Sequence, residues 1–393
     1  MEKTPLSMRK HIAIFGDTNV GKSTLFNKLL GQEAAIVSEI SGTTTDPVVK
    51  AMELIPYGPV ALIDTAGLGD ETALGSRRTA KTLDILKRTD LILYVRDINC
   101  DSALRPVKID KNIPYINVFT KCDLADAKTL TRVSGDFPES VLIFDYNEKS
   151  LECLRRRMIE ELNKQERDDD TMIGHLMPKG SSLILVCPID SEAPKGRLIL
   201  PQVQLIRDCL DHGMKAYVTT EVTLKDALDE LRHTDLVVTD SQAFKIVSKI
   251  VPDNIMLTSF SMLLAAQKGD FKQLLSGAAA IDKINADSKI LMLEGCTHNT
   301  SHEDIGRVKI PKLISSYTGG AAPQYDYYTG YNMPKDISGY DLIIQCGMCM
   351  INKKEIKTRL KTAQSLGVPV TNYGIALAKL NGILDRAAEI FNK

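Results

Sequence analysis

The octet Gly16-Asp17-Thr18-Asn19-Val20-Gly21-Lys22-Ser23 constrains the fold of this chain more than any other stretch. It matches the phosphate-binding pattern Gly-x-x-x-x-Gly-Lys-Ser. It lies between a strand-like apolar run at 11–15 and an amphipathic stretch at 22–30, the context such a loop requires. The glycines let backbone N–H groups turn inward around phosphates. Lys22 brings a positive charge to the β/γ oxygens, and Ser23 is placed to ligate Mg²⁺. With Thr24 it opens a helix whose N-terminal dipole end also favours phosphate. A strand–loop–helix unit of this kind belongs at the rim of a parallel sheet.

The strand–helix alternation continues. Apolar runs at 60–63, 91–95, 115–119 and 141–144 read as buried strands, and amphipathic stretches at 72–87 and 151–163 read as helices. Further nucleotide-site pieces follow in order. In Asp64-Thr65-Ala66-Gly67, Asp64 is expected to hold an Mg²⁺ water and the Gly67 N–H to meet the γ-phosphate. In Gly42-Thr43-Thr44-Thr45-Asp46, Thr44 is the choice for a switch threonine on Mg²⁺, with Thr43 and Thr45 as close rivals. In Thr120-Lys121-Cys122-Asp123, Asp123 can accept both guanine N1–H and N2–H₂, a pair adenine does not offer. Order and spacing resemble a small G domain using GTP and GDP. Leu68 stands where many G domains carry a water-orienting glutamine, so another group must stabilise the transition state. Asn19 resembles the asparagine that coordinates K⁺ in cation-dependent G domains of the tRNA-modifying and ribosome-assembly type. K⁺ would there act as a fixed charge on the β/γ bridge, and slow, K⁺-stimulated hydrolysis is expected. The usual Ser-Ala guanine contact is replaced by Phe144-Asp145.

A polar stretch with Asp168-Asp169-Asp170 and Pro178 reads as a linker at 166–180. Alternation then restarts, with strands at 183–186, 216–219, 236–239 and 254–258 and helices at 202–210, 224–231, 242–250 and 261–267. No phosphate loop accompanies them. A last segment has strands at 290–293, 342–345 and 369–371, helices at 271–275, 354–366 and 375–391, and a Gly- and Tyr-rich stretch at 317–331 expected to be a long ordered loop. The predicted class is α/β with three α/β domains: a GTP-binding domain at 1–165 with a mostly parallel sheet, a small unit at 181–268, and a C-terminal domain at 269–393.

Cys296-Thr297-His298 and Cys346-Gly347-Met348-Cys349 fall in that last domain. Thiolates at this spacing suit a soft metal centre, and composition leaves a Cys₃His zinc site and a three-cysteine 4Fe–4S cluster both open. His298 is the nearest candidate for a fourth position, with His302, Glu303 and Asp304 behind it. Cys100, Cys122, Cys153, Cys187 and Cys209 read as small buried hydrophobes or chance surface thiols. Eight cysteines in 393 residues without a small-domain framework fit a reducing, cytoplasmic setting. A net charge of −1 gives no global attraction for nucleic acid or an anionic membrane. No apolar run approaches the roughly 18 residues of a membrane helix.

The G-domain motifs, the stretch Pro188-Ile189-Asp190-Ser191-Glu192-Ala193-Pro194-Lys195-Gly196-Arg197 and the Cys-x-His…Cys-x-x-Cys pair together resemble the FeFe-hydrogenase maturation GTPases, the HydF family, over the whole chain. The family motif often reads His-Cys-x-x-Cys; here Gln345 precedes Cys346, so that histidine is missing. The resemblance implies a 4Fe–4S cluster on Cys296, Cys346 and Cys349. It also implies a middle domain that dimerises, a transient di-iron H-cluster precursor built with two radical-SAM maturases, delivery to apo FeFe-hydrogenase, and GTP turnover that regulates partner contact. Two other readings are an RNA-modifying or ribosome-assembly GTPase and a zinc-stabilised regulatory GTPase.

Overall fold

The computed structural model describes residues 4–31, 48–65, 84–100, 113–165, 171–189, 196, 198–295 and 304–392. The chain divides into two compact units, 1–167 and 168–393.

The first unit is a six-stranded sheet. Its strands are β1 (Lys10–Phe15), β2 (Val48–Leu54), β3 (Gly58–Asp64), β4 (Leu91–Asp97), β5 (Tyr115–Thr120) and β6 (Val141–Leu142), in the order β2-β3-β1-β4-β5-β6. Neighbours run parallel except β2 against β3. β1 and β4 are almost wholly buried, which is why they read as continuous apolar runs rather than alternating ones. The helix Glu148–Lys164 starts at Asn147, whose side chain accepts the Ser150 N–H at 2.9 Å. It then buries Leu151, Leu154, Met158 and Leu162 at helical spacing. The helix Lys22–Leu30 sends Leu25, Phe26 and Leu29 into the same core. Because β1, β3, β4 and β5 are mutually parallel, their carboxyl ends share one rim.

Sequence reading missed β2 and the helix Ala127–Asp136. The strand expected at 141–144 is only two residues long. Most of the helix expected at 72–87 lies outside the described residues.

The second unit holds two four-stranded sheets, every pair parallel. The first contains β7 (Ser182–Val186), β8 (Lys215–Thr219), β9 (Leu236–Thr239) and β10 (Met256–Ser259), in the order β10-β9-β7-β8. The other contains β11 (Lys289–Glu294), β12 (Gln324–Thr329), β13 (Leu342–Gln345) and β14 (Val370–Asn372), in the order β12-β11-β13-β14. One apolar cluster joins them, including Ile184, Phe244 and Val247 from the first and Leu291, Ile343 and Met348 from the second.

Three expectations are corrected here. The loop expected at 317–331 contains β12, paired along its length with β11; Gly319, Gly320 and Pro323 masked a Tyr-rich segment with good strand propensity. The single helix expected at 375–391 breaks into Tyr373–Leu380 and Leu384–Ala388, because Gly382 takes φ +72° after Asn381. Residues 171–180, expected as linker, are built into the second unit. Met172, Ile173 and Met177 are buried, and one Asp208 carboxylate oxygen accepts the N–H groups of Met172, Ile173 and Gly174 at 3.0, 2.7 and 3.2 Å. The polar composition of that stretch hid three apolar side chains.

Candidate nucleotide site and cysteine pocket

The loops after β1 and β5 and the carboxyl ends of β3 and β4 form the first site. Gly16 has φ +146° and Gly21 φ +90°. A Cβ on Gly16 would stand 2.2 Å from the Val95 carbonyl oxygen, and one on Gly21 would stand 2.1 Å from the Tyr146 hydroxyl. Asn19 and Lys121 also take positive φ, 62° and 57°. Lys22 is buried, and its Nζ donates to Asp17 O at 2.5 Å; burial pulls its pKa below the ordinary value, while Asp64 and Asp17 oppose the shift. Ser23 Oγ donates to Asp64 Oδ2 at 2.8 Å. Burial raises the Asp64 carboxyl, against the Ser23 hydrogen bond and the Lys22 charge. Asp64 Oδ1 is buried with no partner among the described residues. An orphaned carboxylate oxygen beside a serine hydroxyl fits a hydrated Mg²⁺.

At the base end, Lys121 bridges loops. Its Nζ donates to Asp97 Oδ2 at 2.6 Å and to Asn19 O of the phosphate loop at 3.2 Å. Asn99 ties Asp97 Oδ1 to the Lys121 carbonyl at 3.3 and 3.2 Å. Burial pushes Asp97 up, but Lys121 and the Asn99 N–H outweigh it and leave its pKa lowered. Thr120 is fully buried, with Oγ1 2.7 Å from Val20 O. Asp123 is exposed and takes the Asp145 N–H at 3.0 Å, so the loop carrying Phe144-Asp145 reaches the Asp123 carboxylate through its backbone. Asp17, Thr18, Asn19, Ser23 and Thr24 are exposed at the site's mouth, and Val20 is buried beneath it. Thr44, Gly67 and Leu68 lie outside the described residues. Asp97, Asn99 and Tyr146 were not singled out from sequence, although Asp97 ends its strand as Asp64 does.

The second site lies where β11, β13 and β14 end. Cys346 directly follows β13, and its Sγ accepts the N–H groups of Gly295 at 3.0 Å and Met348 at 3.3 Å. Burial pushes this thiol up to about 11, and the two N–H groups pull the other way by favouring the thiolate. Cys346 and Cys349 line one cavity of about 230 Å³ with Glu294, Asp304, Tyr373 and, from the middle segment, Asp240. Tyr373 is 8% exposed, and its hydroxyl has no partner among the described residues. Glu294 pairs with Arg307 at 3.1 Å. Cys296, His298, His302 and Glu303 lie outside the described residues, and among the described residues no group of three metal-ligating side chains forms. The two cysteines present fit a soft metal centre, since a sulfur held by two N–H groups is prepared to carry negative charge. Gln345 is buried, so the residue in the family's usual histidine position stays in the strand. Cys122, Cys187 and Cys209 are buried, and Cys100 and Cys153 are exposed.

The parallel-sheet rim and its phosphate loop are those of a P-loop GTPase domain. Family comparison agrees: residues 11–121 match the 50S ribosome-binding GTPase family. Residues 172–269 match the hydrogen maturase F dimerization domain, and residues 272–390 match the hydrogen maturase F tetramerization domain. This is the architecture of hydrogen maturase F, and the chain belongs to that family. Among curated relatives, the tRNA modification GTPase MnmE of Bordetella parapertussis is 36% identical over 155 residues, 38% of this chain and 33% of the relative. The GTPase Der of Kosmotoga olearia is 32% identical over 146 residues, 35% and 33% of the two chains. The chain thus spans about a third of the length of these relatives. The G domain of the T. maritima FeoB iron transporter aligns at 23% identity with a TM-score of 0.31, covering 39% of this chain and 98% of that one. Era of Aquifex aeolicus bound to GDP·AlF₄⁻ aligns at 20% with a TM-score of 0.33, covering 54% and 94%.

Proposed function

We propose that this chain is a hydrogenase-maturation GTPase that carries a 4Fe–4S cluster on Cys296, Cys346 and Cys349 and passes a di-iron precursor to apo FeFe-hydrogenase. The observation that carries the reading is the Cys346 sulfur. It accepts two backbone N–H groups at the wall of a cavity it shares with Cys349, inside the segment that matches hydrogen maturase F. A bound cluster would supply exchangeable coordination at its fourth iron. The chain's residues supply a cavity wall and, at Cys346, two N–H donors that would favour the thiolate once metal replaces the proton that burial now retains.

In the nucleotide domain, Lys22 neutralises the β/γ-phosphates, and the backbone of residues 16–21 wraps them. Ser23 and Thr44 would ligate Mg²⁺ and Asp64 would hold one of its waters; the ion would supply charge neutralisation on the phosphates. The Gly67 N–H would meet the γ-phosphate, Asn19 would hold K⁺, and Asp123 would select guanine. Turnover is slow and K⁺-stimulated, and it regulates contact with two radical-SAM maturases rather than cluster chemistry. The protein works as a cytoplasmic homo-oligomer. Dimerisation through the middle segment is supported by the dimerization model it matches, and the tetramerization description of the next segment extends this beyond the dimer. No described helix is long and apolar enough to cross a membrane. The RNA-modifying reading draws only on likeness to about a third of the MnmE and Der chains.

The test is iron and acid-labile sulfide per chain after anaerobic reconstitution, with EPR of the reduced protein, beside Cys346→Ala/Cys349→Ala. About four of each, lost in the variant, is expected. Zinc without sulfide would make the C-terminal segment structural and end the scaffold reading.

A further inference from the structure

Lys268 closes the helix Phe260–Lys268 of the middle segment and is 5% exposed. Its Nζ lies 3.0 Å from Met348 O, 3.2 Å from Cys349 O and 3.0 Å from Ile351 O. Carbonyl oxygens only accept. A neutral amine has two N–H bonds and an ammonium has three, so three acceptors at these distances assign the charged form. Burying a cation is costly unless its donors are engaged, and here each has a carbonyl.

The loop it grips carries Cys349 and follows Cys346. Met348 takes φ +51°, and its side chain and that of Ile351 enter the apolar core shared by both sheets. Met348 therefore presents its carbonyl to the ammonium and its N–H to the Cys346 sulfur. Peptide dipoles of the loop run from a fixed positive charge toward the metal-binding wall.

We propose that Lys268 is a positioning residue for the cysteine pocket. From the middle segment, it holds the Cys346–Cys349 loop in register before metal arrives, and its charge eases one-electron reduction of the centre bound there. The second half rests on the cluster reading given above; the first does not. Covalent geometry keeps the ammonium within about 8 Å of the Cys349 sulfur. At an effective dielectric of ~20, a unit charge at about 8–10 Å changes a one-electron equilibrium by roughly 15- to 35-fold.

The full-length chain is tested as wild type, Lys268→Met and Lys268→Arg. In the metal-free proteins, iodoacetamide labelling of each cysteine is followed by mass spectrometry. Lys268→Met is expected to raise the plateau labelling rate of Cys349, read at the high-pH limit of a rate–pH profile where loss of the charge no longer changes the thiolate fraction, at least fivefold, with exposed Cys100 and Cys153 as unchanged internal controls. Lys268→Arg, which keeps the charge and the donors, stays within twofold of wild type. After reconstitution, the reduced-to-oxidised ratio of the cluster at fixed potential is expected to fall roughly 15- to 35-fold in Lys268→Met, equivalent to about 70–90 mV for one electron. In Lys268→Arg it stays within threefold. Unchanged labelling in Lys268→Met overturns the positioning role, and an unchanged ratio at full iron content overturns the charge effect. If Lys268→Met does not fold, Lys268→Arg decides: an Arg protein whose loop is loosened, or whose potential moves tenfold, overturns the proposal. A wild type that takes up no cluster would end the scaffold reading and the charge effect with it, while the labelling arm still decides the positioning role.

Discussion

Gly16→Ala separates two costs that a phosphate loop normally confounds, because Gly58 provides a matched control. Both glycines hold positive φ, +146° and +127°. An added Cβ at Gly58 meets nothing within 4 Å, whereas at Gly16 it falls 2.2 Å from the Val95 carbonyl oxygen and 3.2 Å from Val20 Cγ2. Alanine in such a region costs about 1–3 kcal/mol of backbone strain at either site. The Gly16 Cβ meets the backbone of β4, the neighbour of β1, which cannot swing away like a side-chain tip. Overpacking adds about 1–3 kcal/mol there. Loss of unfolded-state entropy, roughly 0.4–1 kcal/mol in the stabilising direction, is common to both and cancels. Gly16→Ala should therefore cost about 2 kcal/mol more than Gly58→Ala. Hydrogen exchange of β1 amides in the full chain reads this directly, as an excess of about 30-fold in exchange rate. Affinity for a fluorescent GDP analogue should collapse in Gly16→Ala and persist in Gly58→Ala. Equal exchange in the two variants would refute the argument that β4 backbone, rather than torsion alone, enforces glycine at 16.

Other expectations follow from single contacts. Asp123→Asn swaps an acceptor for an amide that can donate to the C2 carbonyl of xanthine. The ratio of XTP to GTP affinity should rise at least 100-fold, read by competition binding; an unchanged ratio would mean that Asp123 does not read the base. Asp64→Asn should abolish Mg²⁺-dependent nucleotide binding while stabilising the nucleotide-free domain. The carboxyl's folded pKa is raised by burial, so the folded state binds the proton more tightly. Asp64's contribution is present below the unfolded pKa and is lost as pH rises through the folded value. Thermal unfolding of apo wild type against Asp64→Asn from pH 4 to 8 should show the variant gaining relative stability with pH, and an opposite slope would count against it. Leu154→Ala, at a fully buried position on the helix Glu148–Lys164, should cost about 2–5 kcal/mol in β1 exchange protection while leaving exchange in β11 untouched.

The phosphate loop was legible because its chemistry is local: glycines at two strained φ values, a lysine and a hydroxyl, all within eight residues. Asp123 was legible for the same reason. The supports of these groups were not. Asp97 and Asn99 hold Lys121 from another strand end, and Tyr146 meets Gly21 from 125 positions away, so no window of sequence joins them. Strand positions with continuous apolar runs, such as β1, β4 and β13, were read to within a few residues. β12 was lost because it is a sheet edge, half-exposed and rich in tyrosine, with glycines before it. At the cysteine pocket, the pair Cys346 and Cys349 was plain from spacing. The lysine beneath them was not, since it sits 80 residues upstream in a helix that looks like ordinary core.

The middle and C-terminal segments match two separate family models, yet they are not two separable cores. Phe244, Val247 and Leu257 pack in one apolar cluster with Leu293, Ile343, Met348 and Ile351. Thr258, within β10, donates to the Ala387 carbonyl at 2.9 Å, and Asn372 Nδ2 donates to Ser261 O at 3.1 Å. Arg386 adds hydrogen bonds to the carbonyls of Ser248 and Val251 at 3.2 and 2.9 Å. A residue 269–393 fragment would expose the apolar face that Phe244 and Val247 now cover and lose the lysine under its cysteine loop. Such a fragment should fail to order that loop, because its side-chain anchors Met348 and Ile351 insert into a core only half of which it carries. The cysteine pocket is thus a property of the two sheets together, and a perturbation of the middle sheet reaches the pocket through packed side chains and three hydrogen bonds from one buried charge.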